Sequence, residues 1–199
     1  MNRIDLINQL MEFEPFNEQE EKDVSEILSH LKEESIFERR NLCAHITSSC
    51  WIVNQDYSKV LLAYHNQFQS YAWLGGHNDG EEDCLQVALK EAKEESGLEN
   101  IRVLCESPFS VEIIVVEGHE KKGVYVPSHL HLNVTYLFQA NDQDEIRIKE
   151  DENSAIAWFD RTEFMDVICE PWMKERVYQK LNSRFIQKFE EKYPISKKD

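Results

Sequence analysis

The pattern of apolar and polar positions changes character twice along the chain. From Met1 to about Arg40 apolar residues recur at helical spacing, first Ile4, Ile7, Leu10 and Met11 and then Val24, Ile27, Leu28 and Leu31, with Pro15 and Asn17 between the sets. Two helices are predicted there. Beyond Leu42 the runs become short and β-branched or aromatic. HITSSCWIVN and KVLLAYH, separated by the turn-like QDYS, predict a hairpin, and IRVLCES, FSVEIIVVEGHE, HLHLNVTYLFQA and AIAWFD predict further strands. One helical segment, Cys84 to about Ser96, is set among these strands. After Arg161 the sequence TEFMDVICEPWMKERVYQKLNSRFIQKFEEKY is helical again, with a restart at Pro171. Strands covered by one central helix and by C-terminal helices describe an α+β fold. The division expected is a helical N-terminal extension over 1–41 and a main domain over 42–199. The extension reads as a dimer contact, making the chain a homodimer, as a lid over a site, or as a helical brace.

Composition narrows the class. The 199 residues are 41% hydrophobic and 11% aromatic, enough for a proper core, and 38 Asp and Glu against 22 Lys and Arg give a formal charge of -16. Such a field repels nucleic acid polymers. It does not repel a small phosphorylated substrate whose phosphates a divalent cation bridges to carboxylates. The cysteines, at 43, 50, 84, 105 and 169, include no CxxC pair and read as buried free thiols of a reducing cytoplasm. MNRIDLINQLMEFEP is too polar for a signal peptide, and no run reaches the length of a membrane span, so no membrane association is expected.

The central helix carries the chemistry. Asp83 is placed to cap it and Gly97 to end it in the left-handed conformation, with Leu98 folding back. At 3.6 residues per turn Leu85, Ala88, Leu89 and Ala92 form an apolar stripe, and Glu91, Glu94 and Glu95 gather on an adjoining face. Like charges at these spacings repel by a few tenths of a kcal/mol per pair, roughly. Lys90 and Lys93 offset only part of that. A solvated acidic face is one explanation. A metal is the other: Gly75 and Gly76 allow a sharp turn after YAWL, Glu82 stands just before the helix, and hard oxygen ligands in this number suit Mg²⁺ or Mn²⁺.

Gly76, Glu82, Lys90, Glu91, Ala92, Glu94, Glu95, Gly97 and Leu98 resemble the Nudix box, G-x5-E-x7-R-E-U-x-E-E-x-G-U with U apolar. Lys90 replaces the family's Arg, which keeps the charge and loses the planar fork. The order of elements from about Cys43 to Phe164 is similar to the Nudix α/β/α sandwich with a mixed sheet. The resemblance implies a pyrophosphohydrolase that cleaves a diphosphate bond in a nucleoside diphosphate linked to another group. It implies Glu91, Glu94 and Glu95 as metal ligands, Glu82 and the backbone of Gly76 as further or water-mediated ones, Lys90 as the partner orienting Glu91, and Glu91 or Glu152 as the base. Glu152 belongs to KEDENSAIAWF with Glu150 and Asp151, which also reads as an ordinary acidic loop.

His129 and His131 alternate onto one side of a strand beside Asn133, as His45 and Thr47 do on another. Paired histidines suit zinc, but no third ligand stands at a convincing spacing. They read as substrate-pocket residues or as polar core. Trp51, Tyr71 and Trp73 read as core rather than as a base-stacking platform. Three other functions are set against hydrolysis: a Nudix-like module that binds without cutting, an isopentenyl diphosphate isomerase, and a nucleotide-sugar sensor. The isomerase would need a Cys where Gly75 stands before Gly76 and His77, and the sensor would need a DNA-binding module that the sequence does not display.

Overall fold

Asn2 and Asn17 start the two N-terminal helices, because a short polar side chain can satisfy amides that the first helical turn leaves open. The structure, a computed structural model, describes residues 1–67, 69–121, 123–149 and 153–190. Asn2 accepts from the amides of Ile4 and Asp5 while the Asp5 carboxylate accepts from the Asn2 amide, a capping box on α1 (Arg3–Met11). Asn17 accepts from the Glu20 amide at the head of α2 (Glu18–His30). The buried face of α1 differs from the expected one: Leu6 and Leu10 are inside, whereas Ile4 and Met11 are 66% and 72% exposed. Leu6 and Leu10 are one turn apart, so they bury a narrow stripe that leaves the outer apolar positions wet. On α2, Val24 and Ile27 are buried, as expected, with Leu31 just beyond its end.

The expected hairpin is β1 (Ala44–Val53) and β2 (Lys59–His65), antiparallel with Val53 opposite Val60. Then come β3 (Ser70–Ala72), β4 (Leu74–His77), α3 (Cys84–Ser96), β5 (Arg102–Val103), β6 (Ser110–Val116), β7 (His119–Lys121), β8 (Val124–Val126), β9 (His129–Gln139) and β10 (Asn153–Asp160). FSVEIIVVEGHE is therefore two strands rather than one, divided at Glu117 and Gly118. The main sheet runs β10-β2-β1-β9-β5, with β3 on β2, β4 on β1 and β6 on β9, while β7 and β8 pair separately. The Leu130 amide donates to the Cys43 carbonyl and the Ala140 amide to the Val53 carbonyl. Because that offset is constant, β9 is parallel to β1, whereas β10 is antiparallel to β2 and β6 to β9. The sheet is mixed, as the fold class requires.

Two units make up the chain: Met1–Ser49, Gly75–Lys90 and Cys105–Tyr136, and Cys50–Leu74, Glu91–Leu104 and Leu137–Asp199. In the first, α2 is tied to β6 through the buried Glu20 carboxylate, which accepts from the Phe16 amide at 2.6 Å and from the Ser110 hydroxyl and Val111 amide at 3.1 Å each. Glu112, also buried, accepts from Asn133 Nδ2 at 3.0 Å, and Asn133 Oδ1 accepts from Thr47 and Ser49. Buried polar groups need such partners, since an unmet one costs about 1–3 kcal/mol. In the second unit Trp51 lies edge-on to Phe164 and stacks with Tyr178, whose hydroxyl accepts from the Trp73 amide at 3.2 Å. The helix restarts at Pro171 as expected, and α4 (Gln179–Phe185) lies between π-helical turns at Met173–Tyr178 and Ile186–Glu190. Arg161 packs over the Phe185 ring there.

Candidate functional site

Helix α3 begins and ends as its sequence demands. Asp83 Oδ1 accepts from the Gln86 amide at 3.1 Å, Gly97 has φ 72°, and Leu98 is buried. Its inner face is not the stripe expected. Cys84, Val87, Ala88, Glu91, Ala92 and Glu95 are buried, while Leu85 and Leu89 are half-exposed. Cys84, Ala88, Glu91 and Glu95 follow one another at steps of four, three and four, so the buried line is a true helical stripe with two carboxylates in it. Hydrophobic periodicity overlooked it because Glu is not scored as a core residue. Glu94 and Lys90 lie on the exposed side.

In the second unit these carboxylates converge. Glu91 and Glu95 are 8% and 6% exposed, and the Lys149 ammonium stands 4.0 Å from Glu91 Oε2 and 3.7 Å from Glu94 Oε2. The thiol of Cys50 on β1 is pushed well above its usual pKa, first by burial and then by the charges of Glu95 and Glu91. The segment before Lys149 is fastened to the helix end, where the Arg147 amide donates to the Ser96 carbonyl at 2.7 Å. A Cβ on Gly97 would lie 3.1 Å from the Arg147 side chain. An open cleft lined by Ile146, Arg147, Ile148, Ala155 and Ile156 adjoins this segment. Glu150, Asp151 and Glu152, the last proposed as base, lie outside the described residues.

The other box positions belong to the first unit. Glu82 is held from two sides by Arg3, whose amide donates at 3.0 Å and whose Nε donates at 3.2 Å, and Asp83 pairs with the Met1 ammonium at 2.5 Å. Gly75 and Gly76 do not make the sharp turn expected; they sit in β4, and neither has positive φ. Gly75 serves a close approach instead, since a Cβ there would come within 2.6 Å of Ser49 Oγ and 2.7 Å of the Ser48 carbonyl oxygen. The turn falls at Asp79 and Gly80, with φ 49° and 95°. Asn78 props it open, accepting from the Ser48 hydroxyl and donating to the Glu81 carbonyl, each at 2.8 Å.

Three strands of the first unit bring histidines together. Ligand nitrogens of His45, His77 and His131 all lie within 4.8 Å of one another, and His129 Nε2 is 3.1 Å from His131 Nε2. Burial, helped by Arg39 and His45, lowers the His77 pKa to about 3, and burial with His77, His45 and His129 lowers that of His131 to about 2. His45 is lowered by burial as well. The expectation that no third ligand accompanies the pair is thus corrected by His77. Asn133 and Thr47, which the sequence set beside the histidines as pocket or polar core, are hydrogen-bonded core residues. Trp51 is core as expected, and Tyr71 packs edge-on against Tyr64 and Phe159.

A family model described as the NUDIX domain matches residues 44–181, more than half of the chain. The chain belongs to the Nudix family. The expectation of a Nudix pyrophosphohydrolase with a Nudix-type fold accordingly holds. Among solved structures, a NUDIX-family hydrolase from Clostridium perfringens aligns with TM-score 0.51 and 21% identity over 70% of this chain and 97% of that one. The dihydroneopterin triphosphate pyrophosphohydrolase of E. coli aligns with TM-score 0.52 and 16% identity over 71% and 95%. These likenesses bear on the fold. No curated protein matches the sequence.

Within the Nudix box, sequence reasoning passed over the Lys149 and Arg3 contacts. Both come from outside the motif, and a cation fifty or more positions away carries no spacing signal. His77, the residue after Gly76, was visible in the sequence but its partners were not. Among the described residues no helix is long and apolar enough to cross a membrane.

Proposed function

We propose that this Nudix protein hydrolyses a diphosphate bond in a small substrate, a nucleoside diphosphate linked to another group, using Mg²⁺ or Mn²⁺ held by Glu91, Glu94 and Glu95. The observation that carries the reading is the convergence of Glu91 and Glu94 on one ammonium, Lys149, with Glu95 buried on the same helix. Carboxylates that share one cation already have a hard, anionic and cation-filled donor geometry, which fits the metal. When bound, the cation neutralises diphosphate charge and lowers the pKa of water beside it.

The chain's own residues do the rest. Glu91 takes the proton of the attacking water as the water oxygen bonds to phosphorus, and the bridging P–O bond breaks with its electron pair leaving on the departing phosphate. Lys149 and Arg147 offer positive charge to a polyanion within an otherwise repulsive -16 field. The cleft walls Ile146, Ile148 and Ile156 suit the organic part of the substrate. Glu82 anchors Arg3 through two hydrogen bonds. We take 1–41 as a helical extension bracing the Nudix domain of 42–199, in accord with the family match starting at 44 and with the bonds from Arg3 and Glu20. The five free cysteines fit a reducing cytosol.

The test is a screen of nucleotide sugars, dinucleoside polyphosphates, oxidised nucleotides and coenzymes with Mg²⁺ or Mn²⁺, reading phosphate release with and without added phosphatase. Glu94→Gln and Glu95→Gln should lower both rate and Mn²⁺ affinity while metal-free stability holds or rises slightly, through relief of like charge. Full turnover in chelator, or unchanged affinity in both variants, would return the glutamates to a solvated face.

A further inference from the structure

We propose that His45, His77 and His131 form a binding site for a divalent transition cation of the Zn²⁺ class, with a donor set separate from the glutamates. The rings come from the start of β1, the end of β4 and the start of β9, so the site is assembled by three strands of one unit.

The nitrogens of His45 and His131 are already sorted into donors and lone pairs. His45 Nδ1 donates to the Asn41 carbonyl at 3.0 Å, which leaves Nε2 bearing the lone pair; that atom is buried and has no hydrogen-bond partner, on a residue only 4% exposed. His129 Nδ1 donates to the Pro127 carbonyl at 2.8 Å, so its Nε2 is an acceptor. His131 therefore donates from Nε2 across the 3.1 Å contact, and its Nδ1 carries the lone pair. Carbonyl groups behind metal-binding histidines fix tautomer and ring orientation in this way.

Ring centroids of His45, His77 and His131 are 4.9–5.1 Å apart pairwise. Tetrahedral ligands at about 2.0–2.1 Å from zinc stand roughly 3.3 Å from one another. The ligand nitrogens, within 4.8 Å of one another, would draw in to that span on binding. The half-exposure of His77 and His131 leaves a fourth position for water. An all-imidazole set selects zinc and its neighbours over magnesium.

The experiment uses the tag-free full chain, stripped with chelator and titrated with Co²⁺, whose visible absorption reports tetrahedral nitrogen ligation. One equivalent should bind, be displaced by Zn²⁺ and resist excess Mg²⁺. Loss of a ligand should weaken binding at least as much as loss of a supporting contact, about 10–100-fold, so His45→Gln and His77→Gln should each show at least that change. Glu94→Gln should leave the spectrum and affinity as they are, which separates this site from the proposed hydrolytic one. His77→Gln is the safer variant because His77 is half-exposed, and its melting temperature without metal checks folding. Imidazole ¹⁵N shifts of the unmutated chain with Zn²⁺ give a readout independent of any variant. No tetrahedral absorption and no retained Zn²⁺, or absorption that survives His77→Gln but not Glu94→Gln, overturns the proposal.

Discussion

Lys149→Gln removes the ammonium that now neutralises Glu91 and Glu94, and should tighten Mn²⁺ binding. At 3.7 and 4.0 Å the two ion pairs are worth about 1 kcal/mol each in a water-like dielectric. Exposure moderates this: the Lys149, Glu91 and Glu94 side chains are 27%, 11% and 42% exposed, and exposed pairs deliver about 0.2–1 kcal/mol. The pair to Glu91 belongs near the top of that range and the pair to Glu94 near the bottom. Together they hold about 1.2 kcal/mol in the metal-free state, which an incoming cation must first displace. Without the ammonium, the Mn²⁺ Kd should fall about 8-fold. Calorimetric titration of the unmutated chain, Lys149→Gln and the charge-keeping Lys149→Arg measures this directly, with the arginine variant expected to stay near the unmutated value. An unchanged or weaker affinity in Lys149→Gln would refute the idea that Lys149 and the metal compete for the same carboxylates.

Gly75→Ala forces a Cβ against the Ser48 carbonyl and the Ser49 side chain, and should lower stability by about 1–3 kcal/mol in chemical denaturation. Arg3→Ala releases Glu82 and the carbonyls of Glu33 and Glu34, so increased protease cleavage within 1–41 is expected, with little change in metal affinity. Lys90→Arg should preserve or raise turnover, because a guanidinium fork can offer a neighbouring carboxylate two nitrogens where an ammonium offers one. In the metal-free protein His77 and His131 stay neutral while the unfolded chain protonates, so stability should fall as pH drops from about 6.5 toward their folded values, by about 1.4 kcal/mol per pH unit for each. Arg39, Lys121 and the neighbouring histidines favour this and Asp79 opposes it; melting curves of His77→Gln across that range should be flatter.

Local chemistry made much of the molecule legible in one dimension. Asn17, Asp83 and Gly97 mark helix ends because capping and left-handed backbone depend on a few adjacent atoms, and the hairpin of β1 and β2 follows from two apolar runs around a short turn. Glu91, Glu94 and Glu95 were legible because one helix supplies all three at fixed spacing. Tertiary structure decided what depends on residues remote in sequence. Which side of α3 is buried did not follow the hydrophobicity of Leu85 and Leu89, and two carboxylates went inside. The role of Gly75 lay in the approach of Ser49, and the role of Glu82 in Arg3. The histidine cluster is the clearest case: His45, His77 and His131 lie on three strands, and only strand pairing, which no spacing encodes, brings their nitrogens together.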